Sequence, residues 1–163
     1  MKIFDNNLLQ SITEEAAASP RLRRNRNIHS SLEDTVQRLF NAMEPGTYVR
    51  PHRHSEADKW ELFFVLSGSL VVLTFDDSGR VTNRIEMSTQ GPIRGIELPE
   101  NTWHTLVSLA PGTVMFEVKR GPYVPLTDKN VAQWAPAEGD ALTPTYEAWF
   151  RTATVGSYPP EKH

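Results

Sequence analysis

The 163-residue sequence predicts an all-β fold with a helix before it and irregular chain after it. Three observations carry this. Short apolar runs rich in β-branched and aromatic residues recur at about ten-residue spacing between positions 61 and 119, the pattern of a sandwich or barrel. Turn signals separate them, among them Asp76-Asp77-Ser78-Gly79, Pro99-Glu-Asn and Ala110-Pro-Gly. Two histidine-bearing motifs then sit in successive hairpins, as a double-stranded β-helix requires.

Each element has its own reason. Residues 2–5 are expected as a short edge strand. Asn6 or Asn7 can cap a helix running to about Ala18 and ended by Pro20, with Leu8, Leu9, Ile12 and Ala16 as its buried stripe. Residues 21–29 carry four arginines in six positions and read either as a solvated basic loop or as an arm that grips a carboxylate or phosphate, for which guanidinium forks are well shaped. In the second reading Arg21, Arg23, Asn25 and Asn27 are the substrate contacts. At 36–43, Val36, Leu39, Phe40 and Met43 fit a helix, yet Glu44-Pro-Gly46 turns straight into the next segment and favours a hairpin, so the pattern alone leaves helix and strand open. Strands follow at 62–66, 70–75, 80–87, 94–98, 103–109 and 113–119. From Gly121 the composition changes to Pro, Ala, Gly and Asp, with a short helix at 145–151 and a mobile tail over 155–163.

The chemistry concentrates between Gly46 and Gly68. In an extended strand His52 and His54 share a face, and Arg53 takes the other. Glu61 opens the next apolar strand after a polar connection over 55–59, bringing a carboxylate beside the imidazoles. His104, after Trp103 and a turn, is a fourth ligand candidate; Trp103 should point to the opposite face and into the core. Imidazole with carboxylate suits Zn, Mn, Fe, Ni or Cu. Glu61 lies between Trp60 and four apolar residues, where an unpaired carboxylate would be costly and a divalent ion would neutralise it.

These motifs resemble a known family. Gly46, five residues, His52-x-His54, then Glu61, six residues and Gly68 is similar to the first cupin motif, and Pro99-x-Asn101-x-x-His104 to the second. Two departures are visible: six residues separate His54 from Glu61 where cupins usually have three or four, and Asn101 replaces the usual Gly. Asn is the residue after Gly that best tolerates positive φ. Ser19-Pro-Arg-x-Arg-x-Asn25-x-Asn27-x-His29, Pro51-His-Arg-His, Lys59-Trp-Glu, Trp103-His and Glu117-Val-Lys-Arg-Gly-Pro-Tyr123 narrow the resemblance to the WbuC family of cupin metalloproteins. The resemblance implies a cupin jelly roll, a strand at 36–43, one divalent metal ion on His52, His54, Glu61 and His104, a surface-polysaccharide (O-antigen) setting and, as cupins often dimerise, a homodimer. It implies no particular reaction.

Composition bounds the partners. Apolar content of 39%, charged content of 23% and net charge −3 give no global attraction to nucleic acid or membrane. There are no cysteines, which removes disulfides, thiolate metal sites and cysteine nucleophiles. The start of the chain has no basic segment followed by an apolar one, so a cytoplasmic setting is expected. Residues 1–30 are expected as a helix and basic arm packed on the barrel, 31–125 as the barrel and 126–163 as an extension.

The leading functional expectation is a metal-dependent enzyme acting on an anionic sugar or sugar nucleotide by isomerisation or epimerisation, with His29, Lys119 or Tyr123 moving the proton. His29 reads equally as a loop histidine. Glu117 and Lys119 alternate on one strand face, either inward beside the metal or as a solvated pair, with Glu117 then a substrate contact. The alternatives are an Fe(II) dioxygenase and a metal-dependent carbohydrate-binding or sensor protein without turnover.

Overall fold

A computed structural model describes residues 1–160. Residues 1–5 form no strand, against expectation, because Asp5 is taken up as a helix cap: its side chain accepts the Leu8 N–H at 3.0 Å. Helix α1, Asn6–Ala17, buries Ile12 and Ala16 against Phe40, Ala42 and Val114, with Leu8 and Leu9 at the margin.

Eight strands follow. β1 is Arg23–Asn27, β2 Val36–Met43, β3 Glu61–Ser67, β4 Ser69–Phe75, β5 Val81–Ser88, β6 Gly95–Leu98, β7 Trp103–Ser108 and β8 Thr113–Arg120. They form two antiparallel sheets in the orders β1-β2-β8-β3-β6 and β5-β4-β7, the all-β jelly roll that the turn spacing predicts. Met43, Phe63, Val65, Leu70, Val72, Leu106 and Met115 fill the space between the sheets. The outer face of the small sheet is covered by helix α2, Thr143–Thr152, through Tyr146, Phe150 and Ala153 on Val71, Leu73 and Phe75.

Double coverage explains two sequence patterns. β4 is buried on both faces and therefore reads as a continuous apolar run. β2 places Phe40 and Ala42 under α1 and Asn41 and Met43 inside, which hides its period of two and mimics a helix. Gly68 joins β3 to β4 at φ +71, where a Cβ would lie 2.8 Å from Thr113 Cα, so only glycine fits.

Three expectations are corrected. The basic arm is the terminal strand β1, paired with β2 so that Asn25 faces Asn41. The His52–His54 segment is extended but is not a ladder strand: Pro51 has no N–H to give, and His52 forms single-residue bridges to His104 and Val131. The C-terminal extension holds this segment, with Arg53 N–H donating to Asn130 O at 2.9 Å and Ala132 N–H to Pro51 O at 2.9 Å. Finally, the end of the chain is docked rather than loose. Gly156 N–H donates to Val81 O at 2.8 Å, and Tyr146 Oη donates to Pro160 O at 3.1 Å. Residues 161–163 of the expected tail lie outside the described residues. No helix among the described residues is long and apolar enough to cross a membrane.

Candidate metal centre

His52, His54, Glu61 and His104 come together between the sheets. Ring centroids are 4.5 Å apart for His52 and His104, 5.5 Å for His52 and His54, and 6.3 Å for His54 and His104. Each element places its side chain for a local reason. Glu61 begins β3, paired with Leu98 of β6 and Lys119 of β8, so its carboxylate points inward. The long gap before it is absorbed by a turn in which Asp58 has φ +59. Asn101 has φ +61, as its replacement of Gly predicts, and its N–H donates to His54 O at 2.7 Å.

Tautomers follow from the backbone. His52 Nδ1 donates to Arg50 O at 3.0 Å, which leaves the Nε2 lone pair of its neutral ring turned inward, and His104 Nδ1 donates to Thr102 O at 2.9 Å, which turns its Nε2 onto Glu61. Glu61 Oε1 is 3.1 Å from His54 Nε2, and Oε2 is 3.1 Å from His104 Nε2. His54 Nε2 is buried and, despite that proximity, has no aligned hydrogen bond.

The electrostatics agree. Burial, with the neighbouring His104, pushes His52 down to about 3, so its ring is neutral. Burial would raise the Glu61 carboxyl, but the His104 and His54 rings and Lys119 outweigh it and hold it well below the usual range. Burial would lower His104, yet Glu61 outweighs it and raises it. Lys119 Nζ lies 2.6 Å from Glu117 Oε1 and 3.4 Å from Glu61 Oε1; these carboxylates overcome burial and raise the ammonium. Glu117 Oε2 also accepts from Asn41 Nδ2.

Among the described residues, no group of three or more His, Asp or Glu side chains could hold a metal ion as it stands. The Glu61 carboxylate lies between two of the imidazoles and pairs with them directly. The donor types and tautomers nevertheless fit a divalent ion: three imidazoles, two of them anchored through Nδ1, and one ionised carboxylate.

The remaining candidates divide into groups. Arg23, Asn25, Glu117 and Lys119 line the chamber of about 140 Å³ that holds His52, Glu61 and His104. Asn25, Asn27, His29, Lys119 and Tyr123 line an outer groove, and Tyr123 also faces a recess with His52 and His54. His29 lines the groove and not the chamber. Arg21 does not reach the chamber at all. It forms a forked pair with Glu138 at 2.5 and 2.8 Å, and Arg23 joins the same carboxylate at 2.8 Å. Arg24 and Arg26 share the carboxylate of Glu15. Trp103 takes the opposite face from His104 but is only half-buried, with Arg53 stacked 4.3 Å from its ring centre.

The family model described as a domain of unknown function (DUF6016) matches residues 4–87, more than half of the chain. The chain belongs to the DUF6016 family. The DUF6016 match takes in His52, His54 and Glu61 and ends within β5, before His104, Glu117 and Lys119. No curated protein matches this DUF6016 chain. Among solved structures, an oxalate oxidase in complex with the substrate analogue glycolate is 16% identical at TM-score 0.51, covering 66% of this chain and 55% of that one. A conserved protein of unknown function from Streptococcus pyogenes is 12% identical at TM-score 0.50, covering 76% of this chain and 90% of that one. A cupin superfamily protein from Desulfitobacterium hafniense is 16% identical at TM-score 0.47, covering 60% and 76%. The likeness establishes the cupin fold for this DUF6016 chain.

Two residues that buttress this site escaped the sequence. Asn41 was signalled only as a lone amide in an apolar strand, and it is 6% exposed beside Glu117. Asn130, whose side chain donates to Arg53 O at 3.1 Å and Ser55 Oγ at 2.9 Å, gave no signal in its irregular segment.

Proposed function

We propose that this protein is a metal-dependent cupin enzyme that acts on a sugar or sugar nucleotide by isomerisation or epimerisation. His52, His54, Glu61 and His104 would hold one divalent ion, Zn, Mn, Fe or Ni. The observation that carries this reading is the anchoring of His52 and His104 through Nδ1–H to the carbonyls of Arg50 and Thr102, which turns both Nε2 atoms inward, toward a site that holds an ionised, buried carboxylate. The resemblance to the WbuC family favours a substrate from surface-polysaccharide synthesis.

A bound ion would supply Lewis acidity toward a carbonyl or hydroxyl group. The chain's own residues would do the rest. Lys119, held protonated by Glu117 and Glu61, offers a proton at Nζ, and the Glu117 carboxylate is the acceptor beside it. Asn41 fixes the Glu117 carboxylate from the other side. Phe63, Met43 and Leu106 exclude water from the inner wall.

Elemental analysis of chain purified without chelators, followed by a screen of sugars and sugar nucleotides, tests this reading. About one equivalent of metal and metal-dependent turnover are expected, both lost in His52→Ala. A metal-free chain whose behaviour is unchanged by His52→Ala would sink the reading. Activity only with Fe(II) and O2 would replace it by a dioxygenase, and binding without turnover by a carbohydrate-binding or sensor protein.

A further inference from the structure

The inner chamber, at about 140 Å³, is small. An enclosed volume near ~150 Å³ holds about one six-membered ring. It opens beside a second space, a groove of about 750 Å³ along the free edge of β1, within the ordinary size of small-molecule sites. Asn25 and Lys119 line both.

The groove has unused hydrogen-bonding capacity. His29 Nδ1 lies 2.9 Å from Arg38 O and 3.1 Å from the Arg38 N–H, so the backbone engages this nitrogen and leaves Nε2 for the groove. His29 is 8% exposed, lines the groove, and its Nε2 is buried without a partner among the described residues. A buried polar atom of this kind is costly until a hydrogen-bond partner reaches it. The Asn25 and Asn27 amides, on the same strand, make no side-chain hydrogen bond among the described residues. Arg24 and Arg26 share the single carboxylate of Glu15, which leaves a surplus positive charge at the groove.

Resting on the reading of the His–Glu cluster as the reacting end, we propose that this groove is a second subsite of the same binding site. It takes the anion-bearing part of a hydroxylated ring compound, a sugar unit carrying phosphate or carboxylate. His29 Nε2 and the Asn27 amide hydrogen-bond its hydroxyl or anionic oxygens, Arg24 and Arg26 meet its charge, and the reacting ring lies in the inner chamber past Asn25 and Lys119.

The test is calorimetric titration of the full chain, with and without added Zn, using glucose 6-phosphate, glucuronate and glucose. The two anionic probes should bind about tenfold or more tightly than glucose, and the preferred one tells phosphate from carboxylate. His29→Phe and Asn27→Ala should each weaken the preferred probe by about tenfold with metal content unchanged. Asn27 is exposed, so its variant decides the matter if His29→Phe does not fold. Equal binding of glucose, wild-type affinity in Asn27→Ala, or no binding of any probe would overturn the subsite. Anion binding that depends on Asn27 in a chain that takes up no metal would keep the groove assignment and remove the metal reading instead.

Discussion

His52 and His104 are joined through their backbones: the His52 N–H donates to His104 O at 3.0 Å, and the His104 N–H donates to His52 O at 2.9 Å. Two segments fifty residues apart in the chain are thereby locked so that their rings stand 4.5 Å apart. The lock belongs to the main chain. Either side chain can be cut back without opening it, which separates the roles of ring and frame.

His52→Ala and His104→Ala should therefore fold but lose the ion. Circular dichroism should match the wild type, with metal content below about one tenth of it, since loss of even an outer-shell partner costs about 10–100-fold in affinity. An unfolded His52→Ala would show that the ring, and not the bridge, holds the segment.

Removal of metal should leave a folded protein. Glu61 has the His54 and His104 rings and Lys119 as partners without an ion, and the three apolar clusters do not depend on it. Adding the bound metal back at ~100 times its Kd should contribute about 2.7 kcal/mol, seen as a rise of about 5–10 °C in Tm. No rise with any divalent metal would argue against a site.

Lys119→Met should destabilise the metal-free chain by about 3 kcal/mol, because it leaves Glu61 and Glu117 buried without their cation. Burial lowers the Lys119 ammonium, but Glu117 and Glu61 outweigh it and raise it. A raised lysine contributes fully below its unfolded value of ~10.4 and loses that contribution only as pH climbs through the higher folded value. The gap in urea stability should hence be constant between pH 6 and 9. With metal bound it should shrink, as the ion neutralises Glu61.

Much of the fold was legible. The strands from position 61 onward announce themselves by apolar runs and turns, and each of the six forms within a residue or two of its expected bounds. The strand at 36–43 is found as the resemblance implies, the helix expected at 145–151 spans 143–152, and the four candidate ligands meet. What stayed hidden is long-range and polar. Arg21 finds Glu138, Arg26 finds Glu15, and Asn130 holds the His52 segment from 77 positions away. No local pattern marks such partners, because each side chain is ordinary in its own segment. The basic arm illustrates this: four arginines in six positions suggest an anion grip, and only the fold shows two carboxylates already shared among them.

Asn101→Ala should cost about 1–2 kcal/mol and Asn101→Gly close to nothing, since the position is left-handed at φ +61. Thermal melts decide this. Equal loss in both variants would place the contribution in the Asn101 side chain and not in the backbone.

Glu138→Gln tests the tether between β1 and the C-terminal extension. Its hydrogen bond to Arg21, with Arg23 nearby, holds the Glu138 carboxyl below its usual value against a smaller opposing effect of burial. A depressed carboxyl contributes above its unfolded value, ~4.3, and loses that contribution as pH falls through the lower folded value. The carboxylate is 39% exposed, so solvent screening limits the effect to under about 1 kcal/mol. The variant should melt about 2–4 °C below wild type at pH 7, and the two curves should converge below pH 3 and in 1 M salt. Arg23 would stay in place through its bond to Tyr48 O at 2.6 Å, so the inner chamber should bind its probes unchanged. A melting difference that persists at pH 3 would assign the tether to packing instead of charge.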